Sequence, residues 1–328
     1  MKKSVLFLAT LFTMLAAIAS GFSQEDNLAT STPDEFNTLV NYLESNTQFI
    51  KGEFPLITAD ELRKNFKNPK YQIVDIRTDS WFEYGHIKNA ANVPAGELLN
   101  YFETSINPAD FDKIVLICYS GQSAAYYSAL LRLAGFDNVY SLKWGMSSWR
   151  EDFANNAWTK NTKNSFAEQL ETTVHTKPAT GNHPVLATGK TEAKAILKTR
   201  LEELFAKPYK DFILKPDAVF TTPSDYFIVN YNNEEVYNNG HIPGAIHYKP
   251  GSSLLVDTDL TSLPINKKIA LYTSTGQEAA YLVAYLSVLG YDMGNIAYGE
   301  NGFMNEILKT KGWDAFSEKE INMFPVIE

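Results

Sequence analysis

The chain carries a single cysteine, Cys118, directly after the apolar run Ile114-Val115-Leu116-Ile117 and before Tyr119-Ser120-Gly121-Gln122-Ser123. Three of those four apolar residues are β-branched and read as a buried parallel strand. The Ala-, Tyr- and Leu-rich run up to Ala134 reads as a helix closed by Gly135. Cys118 is therefore expected on a strand-to-helix turn, which in an open α/β sheet lies at the carboxyl ends of the strands where ligands bind. The free N–H groups of the helix's first residues gather there and favour an anion. A thiol so placed is favoured as the nucleophilic thiolate. The backbone amides of Tyr119, Ser120, Gly121, Gln122 and Ser123 are the expected cradle, with the side chains of Ser120, Gln122 and Ser123 as further donors.

Neighbouring segments should position this loop. Thr58 is a helix cap with Glu61 at the reciprocal position, and a strand over 71–76 follows. Asp75 and Arg77 end that strand on the edge that bears Cys118. Arg77 either brings positive charge to the sulfur or forms a loop-holding network with Asp75, and the second reading is favoured. His86 invites a Cys–His dyad, but Gly85-His86-Ile87 reads as a turn, and a thiol protease also needs an oriented base and an oxyanion hole. Trp144, just after a strand over 139–142, is the aromatic expected to wall the pocket.

Cys118-x-x-Gly121-x-Ser123 resembles the active-site loop of rhodanese-family sulfurtransferases. So do Val74-Asp75-Ile76-Arg77, Glu83-Tyr84-Gly85-His86-Ile87, Ala90-Ala91-Asn92-Val93-Pro94 and Val139-Tyr140-Ser141-Leu142-Lys143-Trp144-Gly145, in the family's order and spacing. The resemblance spans about residues 54–152 and, more faintly, 208–310. It implies an α/β fold with open, mainly parallel sheets flanked by helices, and a Cys118 persulfide. Sulfur would pass from a small anionic donor such as thiosulfate or a polysulfide to a thiol or cyanide. Ser123 stands where many members have Arg, which leaves the donor open. Phosphatases on the same scaffold need His before the cysteine and Arg six positions after it; here Ile117 and Ala124 occupy those places.

A shift of 155 residues superimposes the chain on itself: Gly85-His86-Ile87 on Gly240-His241-Ile242, Gly121-Gln122 on Gly276-Gln277, and Gly135 on Gly290. One constant offset marks a duplicated unit. Cys118 falls on Thr273, Asp75 on Asn230, Arg77 on Asn232 and Ser123 on Glu278. A threonine hydroxyl has no accessible anion near neutral pH and cannot hold a sulfane sulfur, so the second unit is expected to be inactive. In the two-domain thiosulfate and mercaptopyruvate sulfurtransferases the active cysteine lies in the second domain, so their interdomain arrangement does not transfer.

At 328 residues with 45% hydrophobic content the chain is long enough for two folded domains. Lys2, Lys3, the apolar run over 5–19 and the small residues up to Ser23 read as a secretory signal peptide, too short for a confident membrane anchor. The expected order is a signal peptide over 1–23, a helical extension over 24–50, a catalytic rhodanese domain over 51–158, a linker over 159–190 and an inactive rhodanese-like domain over 191–328. Phe36, Leu39, Val40 and Leu43 fall at helical spacing, in a helix expected to pack on the first domain. Export implies a periplasmic or secreted protein, where a lone cysteine that cannot pair internally is kept for reactivity or buried as a bystander. Loss of Lys2 and Lys3 would take the formal charge from −9 to −11, a poor match for nucleic acid or an anionic membrane. His86, His175, His183, His241 and His247 show no ligand spacing, so no metal or cofactor is expected, and His175 and His183 are expected to be solvated. The rival reading, from a different class, is a secreted rhodanese-fold binding or scaffold protein without turnover.

Overall fold

The computed structural model describes residues 34–46 and 49–328. The expected signal peptide lies outside the described residues.

Two five-stranded sheets, parallel throughout, form in succession. The first holds β1 (Leu56–Ile57), β2 (Tyr71–Asp75), β3 (Ala90–Asn92), β4 (Lys113–Ile117) and β5 (Val139–Leu142) in the order β1-β5-β4-β2-β3. The second repeats that order as β6-β10-β9-β7-β8, from β6 (Ile213–Leu214), β7 (Phe227–Asn230), β8 (Ile246–His247), β9 (Ile269–Tyr272) and β10 (Met293–Ile296). Residues Ile114 to Ile117 of β4 and Ile269 to Tyr272 of β9 are fully buried, which explains why they read as unbroken apolar runs. Thr58 caps helix Ala59–Asn65, accepting from the Glu61 amide at 3.2 Å.

The two sheets are joined through helices Gln122–Leu133 and Gln277–Val288, which pack on each other and are buried almost all round. The repeat keeps its offset of 155 up to Gly290 and then loses one residue. Trp144 and Gly145 correspond to Tyr298 and Gly299, all four in the left-handed region, and the Met146 amide bonds to the Cys118 carbonyl as the Glu300 amide does to that of Thr273.

The helix Glu35–Asn46 buries Phe36, Leu39, Val40 and Leu43 as their spacing implies, but its partners lie in the second half of the chain. It packs on helix Ala193–Phe205, stacks Phe36 edge-on to Tyr291, and accepts the Val256 amide on Glu44 at 2.8 Å. The polar stretch over 159–190, expected as a linker, makes contacts of its own. It bridges Glu171 to His241 and donates the Thr188 and Gly189 amides to Glu35. His183 stacks on Phe36 with ring centroids 4.3 Å apart, and His175 is engaged by Glu171.

Candidate active site

Strand β4 ends at Ile117 and the chain turns at once into helix Gln122–Leu133 through Gly121 at φ 86°. The turn curls around the sulfur of Cys118. The Gly121 amide donates to Sγ at 3.1 Å and the Ala124 amide at 3.4 Å, the latter one position beyond the expected stretch. A cup this tight needs glycine at two places. A Cβ on Gly145 would lie 2.5 Å from the Gly121 nitrogen and 2.6 Å from the Cys118 carbonyl oxygen, and one on Gly121 would strike Gln277.

Cys118 is 2% exposed and lies beneath the surface. Beside the loop opens a crevice of about 450 Å³, lined by Tyr119, Ser120, Gln122 and Ser123. Its far wall comes from the second half of the chain, with Tyr209, Ile213, Ala297 and Tyr298, while Asn156, Lys160 and Asn161 close one end. Lys160 is the one cation among these lining residues. Burial pushes the Tyr298 hydroxyl up to about 12 and raises Tyr209 as well. Both phenols thus line the crevice as neutral O–H groups, with the Tyr209 oxygen accepting from Asn295 at 2.6 Å.

Arg77 is engaged elsewhere through two of its three nitrogens, and the third is buried without a hydrogen-bond partner. Its Nε and one terminal nitrogen clasp the Asp75 carboxylate at 2.7–3.1 Å, the same terminal nitrogen donates to the Gly85 carbonyl at 2.7 Å, and the pair is buried. Asp75 and Arg77 therefore tie strand end to turn, with the guanidinium over the Phe153 ring at 5.0 Å. His86 places Nδ1 3.0 Å from the Phe82 carbonyl oxygen, stacks on the Phe82 ring and bridges to Ile327 through its backbone, so it serves the turn rather than the thiol. Trp144 does not wall the crevice. It is buried against Trp158 and Phe316, and Trp81 lines the crevice in its stead. Trp81 meets the Tyr119 ring edge-on at 5.7 Å, a contact between distant segments that the sequence does not signal.

At the equivalent place in the second half, Thr273 Oγ1 is buried without a partner. Asn230 and Asn232 stand where Asp75 and Arg77 stand, and both donate to the buried Glu300 carboxylate, at 3.5 and 2.8 Å. Burial first, then Asp314, pushes the Glu278 carboxyl up to about 7, with Lys143 opposing.

Parallel α/β domains in which a strand-to-helix loop wraps its own amides around a cysteine sulfur form the class to which this site belongs. The family description "Rhodanese-like domain" matches residues 58–152 and 220–306, more than half of the chain, and the chain belongs to that family as a tandem of two domains. It is similar to the thiosulfate sulfurtransferase GlpE of Shewanella oneidensis, 36% identical over 101 residues that cover 30% of this chain and 96% of the relative. The GlpE of Pseudomonas aeruginosa is 32% identical over 93 residues, 28% of this chain and 81% of the relative. Among solved structures, a rhodanese-related protein of Thermoplasma volcanium is 27% identical, covering 30% of this chain and 93% of that one, with a TM-score of 0.27.

Proposed function

We propose that this chain is an exported sulfurtransferase that carries a sulfane sulfur on Cys118, and that its second domain is catalytically silent. The observation that carries the reading is the pair of amides, Gly121 and Ala124, aimed at Cys118 Sγ. The thiolate attacks the outer sulfur of a donor such as thiosulfate. The S–S bond of the donor breaks, sulfite leaves with the bonding pair, and the negative charge passes to the terminal sulfur of the Cys118 persulfide. Cyanide or a thiolate then takes that sulfur, as thiocyanate or a persulfide, and the Cys118 thiolate returns. Loop amides fixed in advance stabilise the sulfur anion without reorganising. Lys160 at the crevice draws an anionic donor towards an otherwise acidic protein. Export to the periplasm or beyond rests on the residues over 1–23.

The test is mass spectrometry after thiosulfate or polysulfide treatment, together with turnover to cyanide and to a thiol. Wild type should gain one sulfur and Cys118→Ser none; no adduct with any donor overturns the reading. The burial of Cys118 favours a second reading, a rhodanese-fold binding protein without turnover. A thiol that stays inert to every sulfur donor and alkylates no faster than free cysteine would support it.

A further inference from the structure

We propose that Glu171, His175 and His241 bind one divalent transition metal ion, with zinc the ion that this donor set suits. Glu171 and His175 lie four residues apart and His241 66 positions further on, so the two histidines show no ligand spacing in the sequence. The fold converges them, and one ligand atom from each lies within 4.8 Å of the others.

The chemistry of His241 points to a cation. The residue is fully buried, and its Nδ1 lies 2.8 Å from the Tyr237 carbonyl oxygen, an atom that only accepts. Nδ1 therefore carries the proton, and Nε2, which also faces a carbonyl oxygen, calls for either a second proton or a cation. That nitrogen faces two electron-rich atoms, the Thr173 carbonyl oxygen at 3.0 Å and Glu171 Oε1 at 3.8 Å. His175 Nε2 approaches the same Glu171 oxygen at 2.6 Å. Lone pairs converge on one point, and positive charge there is what makes the arrangement favourable. Zinc bonds of about 2.0–2.2 Å in tetrahedral geometry place ligand atoms roughly 3.3–3.6 Å apart, so the Glu171 oxygen needs to move by about 1 Å or less relative to either imidazole nitrogen.

The surroundings have the form of a metal site. The Gly244 amide orients the Glu171 carboxylate, as the Tyr237 carbonyl orients the His241 ring. His241 lies at the base, while the Glu171 and His175 side chains, 28% and 35% exposed, leave a path for the ion. The chain also holds its own comparison. His86 occupies the same turn in the first domain, with Nδ1 3.0 Å from the Phe82 carbonyl oxygen and a backbone bridge to the passing segment. No such cluster forms around it among the described residues. Two histidines and a carboxylate with one position left open bind zinc, and the ion would pin the segment over 171–175 to the turn Gly240-His241-Ile242.

The test uses the full chain without an affinity tag, with Cys118→Ser so that the thiol cannot compete, stripped by a chelator. Zinc is titrated by calorimetry and by thermal unfolding, and cobalt(II) by its visible spectrum. One equivalent should bind and raise Tm. Glu171→Gln, whose side-chain oxygen can still accept the Gly244 amide, and His175→Ala, both at partly exposed positions, should each weaken zinc binding by at least about tenfold and flatten the cobalt spectrum. Absence of saturable binding overturns the proposal, because a ring proton on His241 then accounts for the geometry. Equal affinity in parent and variants overturns it too, because the ion is then held elsewhere.

Discussion

Gln122 and Gln277 cross the joint between the two domains in opposite directions, each holding the other domain's tight turn. The Trp144 amide donates to Gln277 Oε1 at 2.7 Å, and the Tyr298 amide donates to Gln122 Oε1 at 2.9 Å. Each glutamine is the first residue of one of the two facing helices, so the clasp is symmetric although only one side bears a thiol. Both side chains are nearly fully buried.

Removing one arm strands a buried amide. Gln277→Ala leaves the Trp144 N–H and the Leu142 carbonyl without that partner, which costs about 1–3 kcal/mol for each group left unsatisfied. Chemical denaturation should show a lower midpoint with an unchanged slope. A variant as stable as the parent would mean that water replaces the arm at no cost.

The cup around Cys118 makes a separate prediction. Gly121→Ala pushes a Cβ into Gln277 at φ 86°, and relief of that clash turns the amide away from Sγ. Loss of one preorganised donor to a developing anion typically costs 10²–10³-fold, so persulfide formation should slow by roughly that factor. Gly135→Ala is the control: it shares a positive φ, 104°, but its Cβ meets nothing within 4 Å, so it should lose stability and keep the sulfur-transfer rate. Equal losses in the two variants would assign the effect to backbone strain.

The parts of the fold that follow local rules were legible in the sequence. The strand before Cys118, the helix after it and the duplication are written in apolar runs and glycines that local packing demands. Long-range choices were not. Trp144 is an aromatic on a turn whichever surface it meets, and the Trp158–Phe316 packing that claims it joins distant segments. The helix Glu35–Asn46 shows its apolar face but not the surface that covers it. Glu300 escaped notice because its counterpart Met146 is apolar, so the repeat gave no reason to expect a carboxyl in the core.

Glu300 gives the protein a pH-dependent stability. Burial first, with a smaller push from Glu278, raises its carboxyl from 4.5 to about 7, and hydrogen bonds from Ser274, Asn232 and Asn230 only partly offset this. Between those values the unfolded chain has released a proton that the folded chain keeps. Stability therefore falls as pH rises from about 4.5 through about 7 and levels off above. Glu300→Gln, whose amide can still meet Ser274 and Asn232, should shrink the slope, and Glu278→Gln should remove a further part. Denaturation midpoints measured across that window check the sign; a slope unchanged in Glu300→Gln would mean that other groups set it.

Access to the thiol should depend on the second domain. Tyr209 and Tyr298 wall the crevice beside the Cys118 loop, and Cys118 is 2% exposed. Truncating Tyr298 to Ala removes a ring from the crevice wall and loosens its contact with Trp158 at 4.8 Å. Alkylation of Cys118 by iodoacetamide should then quicken by about tenfold or more, and the gain should be larger for a bulkier maleimide. Identical rates in parent and variant would place the route to the sulfur on another side of the loop.

Deleting residues 191–328 tests whether the first domain is self-sufficient. Its central helix Gln122–Leu133 buries nearly every residue, Tyr126, Tyr127, Leu130 and Leu131 included, because helix Gln277–Val288 and Tyr209, Phe205 and Phe212 cover the side turned away from its own sheet. Removal of that cover exposes a contiguous aromatic and aliphatic face, and apolar patches of this kind drive association. The truncated chain should aggregate or form oligomers, and it should lose the far wall of the crevice with Tyr298. Size-exclusion chromatography and sulfur transfer measured on the soluble fraction decide the matter. A monomeric fragment with the parent's donor preference would show that the second domain neither covers the helix in a needed way nor shapes the crevice.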